Sequence, residues 1–335
     1  MTRTPPLSLT LLMILLATSC QDTPARLPNI SGKAGEIAII MDKQYWEGVI
    51  GTTFRATLEA EYPYLPLPEP MFTLFSVPHG NFNALFQSHR NLILLNVSPD
   101  FQEAVMVIQE NVWAEPQIVV TFSGPNVSEI LSCFEQQKQK VISAIEQAER
   151  NRVIAGSKRH EEKTLRLLVN ESFGGSPRFP VGYYLRKQTK NFIWITYETT
   201  YTTQGFLIFS YPYIDQNSFS KSVMIKECAT MMQNHVPGTP ENSFMIYSPA
   251  IEPALSWIHF NKKDFGEMRG LWDVKNDFMG GPFVAHFHLD VKNSRVLVFQ
   301  AFVYAPRYDK RNYMRQIESI LYSFEWAEES DPTID

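Results

Sequence analysis

Apolar residues recur along this chain with two periods, two and about 3.6, and the switching between them marks out the elements. The run 35–41 (GEIAIIM) reads as a strand, and runs at 71–77, 92–97, 104–109 and 117–122 follow in the same style. Between the first two, Trp46, Val49, Ile50, Phe54 and Leu58 sit at helical spacing from Asp42 or Lys43 onward. The prolines of YPYLPLPEP (62–70) stop that helix and favour an extended, rigid connector. Asn126 stands as a helix N-cap, with Glu129 at the third helical position. The helix it opens carries Ile130, Leu131, Phe134, Val141, Ile142 and Ile145 on one face and ends near Gly156. A second helix from Glu161 keeps Leu165, Leu168, Val169 and Phe173 in register and stops at Gly174-Gly175.

The second half repeats the style. Strands are expected at 179–187, 192–198 and 205–211, then a helix over 218–235 ended by Pro237-Gly238. Short strands at 245–248 and 256–260 precede a meander over 267–274, 283–290 and 295–304, and a helix over 310–324 closes the pattern. Three stretches run from a strand through a proline-bearing corner into an amphipathic helix, which reads as a weak strand–strand–helix repeat. The expected class is α+β, antiparallel sheet with amphipathic helices packed on one face. Gly-rich nucleotide loops and regular βαβ alternation are absent, which argues against a doubly wound sheet.

The composition is that of a globular protein: 335 residues, 44% hydrophobic and 19% charged. A net charge of −5 gives no electrostatic footprint for nucleic acid. The N-terminus changes the picture most. Leu7 to Leu16 is an apolar run too short to span a bilayer, and small residues then lead directly to Cys20. This order resembles a bacterial lipobox, with residues 1–19 as signal peptide and Cys20 as the acylated first residue. Acyl chains on Cys20 would hold the protein on a membrane. Residues 20–35 then read as a flexible tether, 36–326 as one α+β unit with a division into two subdomains open near 156–178, and 327–335 as a polar tail. The expected location is the cell envelope, lipid-anchored at the outer membrane and facing the periplasm, with surface exposure as the alternative. Cys133 and Cys228 have no metal-ligand spacing and read as buried free thiols, with a disulfide between them as the alternative.

Candidate chemistry gathers in FGEMRGLWDVKNDFMGGPFVAHFHLD (265–290). Arg269 offers a donor fork for a carboxylate or phosphate, Trp272 a stacking surface, and Gly280-Gly281 a close backbone approach, with Asp277 in the same loop. These five form a candidate binding site. The purely structural reading pairs Arg269 with a neighbouring carboxylate, buries Trp272 and uses the glycines to turn the chain. His286, His288 and Asp290 alternate on one strand face, which reads as a polar, solvated face with no metal expected; the alternative is a metal site with His259 as a fourth ligand. The aromatic row Phe192, Trp194, Phe206, Phe209, Tyr211 and Tyr213 suits a carbohydrate platform or, more simply, a sheet core. GxSxG, HExxH and Walker patterns are absent, and no cofactor is expected.

FIWITYETT, QGFLIFSYPY, HVPGTPENS, MRGLWDVKNDFMGGPF and QAFVYAPRYDKRNYMRQIESIL resemble an uncharacterised family of Bacteroidota lipoproteins, domain of unknown function 4837. GEIAIIMDKQYWEG and FTLFSVPHGNFNALFQSHRNLILLNV, in the first half, resemble it too. The resemblance implies an envelope location and a single full-length unit but no activity, and His286 and His288 are not part of its pattern. The expected function is a membrane-anchored, non-catalytic binding or assembly module whose partner is an envelope protein or a glycan. An envelope hydrolase with a site near the 265–290 meander is the alternative.

Overall fold

The structure, a computed structural model, describes residues 26–327. The signal sequence, Cys20 and residues 328–335 lie outside the described residues. Within the stretch expected as tether, residues 28–32 are docked on the first sheet. Glu115 N–H donates to Pro28 O, Ser31 N–H to Ser88 O and Arg90 N–H to Ser31 O.

The first sheet contains β1 (Glu36–Ile40), β2 (Thr73–Val77), β3 (Asn91–Val97), β4 (Val105–Glu110) and β5 (Ile118–Gly124), in the order β2-β1-β3-β5-β4. Only β4–β5 is antiparallel; β1–β2, β1–β3 and β3–β5 pair in parallel. The antiparallel expectation thus does not extend to these pairings. The reason lies in the strands: IAII, LILL and IVV are continuous apolar runs, the signature of strands covered on both faces. On one face lie α1 (Val49–Leu58) and the 33-residue α2 (Val127–Arg159). Phe54, Phe122 and Phe134 pack there with ring centroids 4.4–5.9 Å apart. Each ring so buried contributes about 2–3 kcal/mol. Asn126 caps α2 as its sequence predicts: its Oδ1 accepts from Glu129 N–H at 3.0 Å.

After α3 (Lys163–Phe173), Gly174 takes the left-handed conformation (φ 73°) that ends a helix, and donates to Asn170 O. A two-residue strand, β6 (Gly175–Ser176), follows and pairs with β15 (Glu325–Trp326). The second sheet holds β7 (Tyr184–Thr189), β8 (Phe192–Glu198), β9 (Thr203–Pro212), β10 (Met245–Tyr247), β11 (Ala254–Phe260), β12 (Lys263–Val274), β13 (Gly280–Asp290) and β14 (Arg295–Tyr304). Its order is β10-β12-β13-β14-β9-β8-β7, with β11 also paired to β12, and every pairing is antiparallel. Helices cover both faces of this sheet rather than one. α3 and α5 (Arg311–Tyr322) lie on one face, and α4 (Lys221–His235) on the other. Strands such as FIWI and VLVFQAFVY are apolar at nearly every position, the buried Gln300 apart, and bury both sides. The class is α+β. No helix among the described residues is long and apolar enough to cross a membrane.

The proline-bearing connector joins the two sheets' units. α5 has no N-cap side chain of its own; Glu69 supplies one from the connector, accepting from Lys310 N–H at 2.7 Å and Arg311 N–H at 2.8 Å. A carboxylate there satisfies two orphan donors and faces the positive end of the helix dipole. Arg315 reaches back from α5 to Met71 O at 2.6 Å.

Candidate functional site

The two arms of the 265–290 stretch are β12 and β13, joined by a turn at 275–279. On a strand, residues an odd number apart face opposite sides. Arg269 and Trp272 are three apart, so the expected convergence of the candidate binding residues on one loop does not occur. Trp272 is buried in the core under α4, its Nε1–H donating to Val303 O at 3.3 Å. Gly281 lies opposite it, and a Cβ there would stand 2.1 Å from Val303 O, so the glycine permits close strand packing rather than ligand approach. Gly280 is packed on Trp272 O and Asp273 in the same way. Asp277 is half-buried at the turn and accepts from Phe278 N–H at 2.7 Å.

Arg269 instead enters a buried ion cluster on the α5 side. Its Nε donates to Glu267 Oε1 at 2.7 Å, and its two Nη atoms fork onto the Glu318 carboxylate at 2.5 and 3.2 Å. Such a bidentate pair is the strong form of the interaction. Tyr62 from the connector donates to Glu318 Oε2 and Tyr322 to Glu267 Oε2, both at 3.1 Å. His286, directly across from Glu267 on β13, has its Nε2 3.1 Å from Glu267 Oε2. Arg150 from α2 adds a contact to Glu318 at 3.4 Å and stacks on the Tyr322 ring at 3.8 Å. Burial alone would raise both carboxyls, but the Arg269 guanidinium outweighs it and lowers both, holding Glu267 well below the usual carboxylate range with help from His286. Burial likewise opposes the charge on Arg269, and Glu318 and Glu267 together raise it well above its ordinary value. Burial and Glu318 push the Tyr62 phenol up. The cluster is therefore a set of fixed charges, each bound to protein groups.

The histidine set does not assemble. His286 and His288 are buried, not on a solvated face, with ring centroids 6.0 Å apart. Burial pushes both towards the neutral form, and His286 Nδ1 and His288 Nε2 have no hydrogen-bond partner among the described residues. Asp290 pairs with Arg295 at 2.8 Å, and the exposed His259 with Asp264 at 2.7 Å. Among the described residues no group of three or more His, Cys, Asp or Glu side chains is arranged to hold a metal. A cavity of about 400 Å³ beside the meander includes His288 in its wall. There the ring stands between Phe265 and Phe324, at 4.9 and 4.4 Å, a setting that packs the imidazole rather than charging it. Of the aromatic row, Phe192, Phe206 and Phe209 are core, as are Trp194 and Tyr211; Tyr213 packs at the edge. Cys133 and Cys228 are free thiols; Cys228 is buried and its thiol is pushed up to about 12 by burial, while Cys133 is only half-buried.

A site that the pattern of the sequence did not single out lies where the β8–β9 hairpin meets the start of α5. Tyr183, Tyr197, Tyr201, Tyr308 and Tyr313 line an open groove of about 420 Å³, within the range of small-molecule sites. Its floor is an ordered chain of hydrogen bonds: Tyr183 OH donates to Gln204 Oε1 at 2.6 Å, and Gln204 Nε2 donates to Gln316 Oε1 at 3.2 Å. Thr199 shapes the hairpin tip, its Oγ1 accepting from Thr202 N–H at 3.1 Å, and so holds Tyr201 outward. The signal was present. ETTYTT and APRYDK set Tyr201 and Tyr308 in polar turns, where core packing makes no claim on them.

Residues 162–323 match the model of a family described as Domain of unknown function (DUF4837), and residues 30–158 match a model of their own, Domain of unknown function (DUF8532). No protein of curated function matches the chain. Among solved structures, the Saccharomyces cerevisiae Ran-binding protein Mog1p is similar at 8% identity, over 46% of this chain and 90% of its own, with a TM-score of 0.32. A mutant form of protein Mog1 is similar at 7% identity over the same shares, with a TM-score of 0.29. At such TM-scores neither likeness bears on function.

Proposed function

We propose that the protein is a lipid-anchored module of the cell envelope, held by Cys20 at the outer membrane and facing the periplasm, that binds a partner and catalyses no reaction. The observation that carries this reading is the contrast in how polar groups are used. The ionisable side chains with the most catalytic character, Glu267, Glu318 and Arg269, are spent on one another and on Tyr62 and Tyr322. An open groove, by contrast, is lined mainly by phenol rings, amides and hydroxyls, which are recognition groups. The order of apolar run, small residues and cysteine at 7–20 supports the anchor, and no cofactor enters the reading.

Two measurements test it. Labelled palmitate should enter the protein expressed in a diderm bacterium and be lost in Cys20→Ala, with the label found in outer-membrane fractions. The full chain should capture an envelope component from detergent-solubilised membranes, and Tyr201→Ala with Tyr308→Ala should release it. Unlabelled protein would remove the anchor from the proposal; substrate turnover by the purified chain would remove the non-catalytic reading.

A further inference from the structure

We infer that the tyrosine-lined groove is a binding site for an uncharged oligosaccharide; the inference rests on the binding-module reading and names its ligand class. The first argument is charge. No Asp, Glu, Lys, Arg or His lines the groove, in a chain where such residues make up about a fifth of the sequence. The cation at the mouth, Arg307, lies over the Tyr201 ring, so an anionic ligand such as a phosphate or a uronic acid reaching the floor would bury its charge without a counter-ion among the lining groups, which is costly. The ligand that suits the surface is neutral.

The second argument is the arrangement of rings. Tyr201 and Tyr308 are 48% and 47% exposed at the mouth, with centroids 6.5 Å apart and planes at 56°. Tyr183 and Tyr197 lie deeper, 5.4 Å apart. The C–H faces of pyranose rings pack on such phenol faces, and two splayed rings at the mouth suit successive sugar units. Neither mouth ring hangs loose. The Arg307 guanidinium lies 5.1 Å from the Tyr201 ring, the Tyr308 ring packs on Tyr201, and the Tyr308 backbone is fixed by its N–H to Ala305 O and by Lys310 Nζ donating to its carbonyl at 3.0 Å.

The third argument is the floor. Because Tyr183 donates to Gln204 and Gln204 to Gln316, the orientation of both amides is set, and the chain ends on the amide N–H groups of the half-buried Gln316. Phenol and threonine hydroxyls add groups that both donate and accept. Sugar hydroxyls also do both. A proline-rich peptide, the other ligand that favours tyrosine grooves, presents acceptors only along its prolines; it would pair with the Gln316 N–H groups but offer no donor to the phenol and threonine hydroxyls.

The test uses the full acylated chain in a detergent without a sugar headgroup, on an array of neutral α- and β-linked gluco-, manno-, galacto- and N-acetylglucosamine oligosaccharides. Oligogalacturonate and decaproline serve as controls. At least one neutral oligosaccharide should bind, and Tyr201→Ala or Tyr308→Ala should weaken it roughly tenfold or more with an unchanged melting temperature. Tyr201→Phe should retain most of the affinity, which separates ring stacking from folding. Binding only to decaproline or oligogalacturonate, binding to nothing, or sugar binding indifferent to both tyrosines would overturn the inference. If sugars fail while envelope capture through the groove persists, the ligand class is wrong and the binding module stands. If capture is also indifferent to both tyrosines, both readings fall.

Discussion

The ion cluster around Arg269 and the tyrosine groove draw on the same helix and use it in opposite ways. Glu318 and Tyr322, four residues apart on α5, point into the cluster, whereas Tyr313 and Gln316, three apart, line the groove. In the cluster the Arg269 guanidinium and both carboxylates end on protein partners, and three separate segments (connector, α2 and β12–β13) meet on α5. In the groove the rings at the mouth keep nearly half their surface open. Dense charge in a sequence invites a functional reading, but here it is closed on itself and serves to join the two units. The groove offers a recognition surface whose lining carries no charged side chain.

The comparison can be broken or sharpened by experiment. The largest effect is expected for Arg269→Ala. It leaves Glu267 and Glu318 buried without their counter-ion, and breaking a buried pair of this kind costs about 3–5 kcal/mol. Thermal unfolding should show a large drop in melting temperature. Replacing Arg269, Glu267 and Glu318 together with apolar residues of similar size should cost far less. A triple variant as unstable as the single one would count against the closed-cluster account.

Acid should act next. His286 and His288 are held neutral in the folded chain, so the unfolded chain binds more protons as pH falls below its ordinary histidine value near 6.5. The lowered carboxyls of Glu267 and Glu318 have the same sign: their stability is present above the usual carboxylate value and is lost as pH falls through their folded range. Melting temperature should therefore decline below pH 7 and again below about pH 4.5. His288→Phe should flatten the upper decline, and a stability independent of pH between 7 and 5 would contradict the neutral, buried rings.

A smaller effect is expected at the proline-bearing connector. Glu69→Ala removes the borrowed cap of α5 and should cost about 1 kcal/mol, read as a shift in urea midpoint. The smallest belongs to the groove. Tyr308→Ala should change stability by no more than about 0.5 kcal/mol, as for a surface substitution away from buried features. A drop comparable to that of Arg269→Ala would make the groove part of the core and end its role as a recognition surface.

Much of the element order was legible because it is set locally. The Asn126 cap, the Gly174 stop and the apolar runs of β8, β9, β13 and β14 act within a few residues of themselves. The parallel pairing of the first sheet was less so, although its continuous apolar strands signalled cover on both faces. At the candidate site, the strand period already set Arg269 and Trp272 on opposite faces, and the proximity of Trp272, Gly280 and Gly281 proved to be packing.

By itself the sequence determined the strands, the helices and their ends, the lipobox-like order at its N-terminus and the overall α+β character, because each depends on neighbours along the chain. Only the tertiary structure decided that Glu318, forty-nine residues from Arg269, is its partner. It alone decided that Glu69 caps a helix beginning at Arg311, and that tyrosines from the 183–201 and 308–313 stretches share one groove. Those outcomes depend on which elements come to rest against one another. That is settled by burying both faces of the two sheets at once, a condition that no local window of the sequence contains.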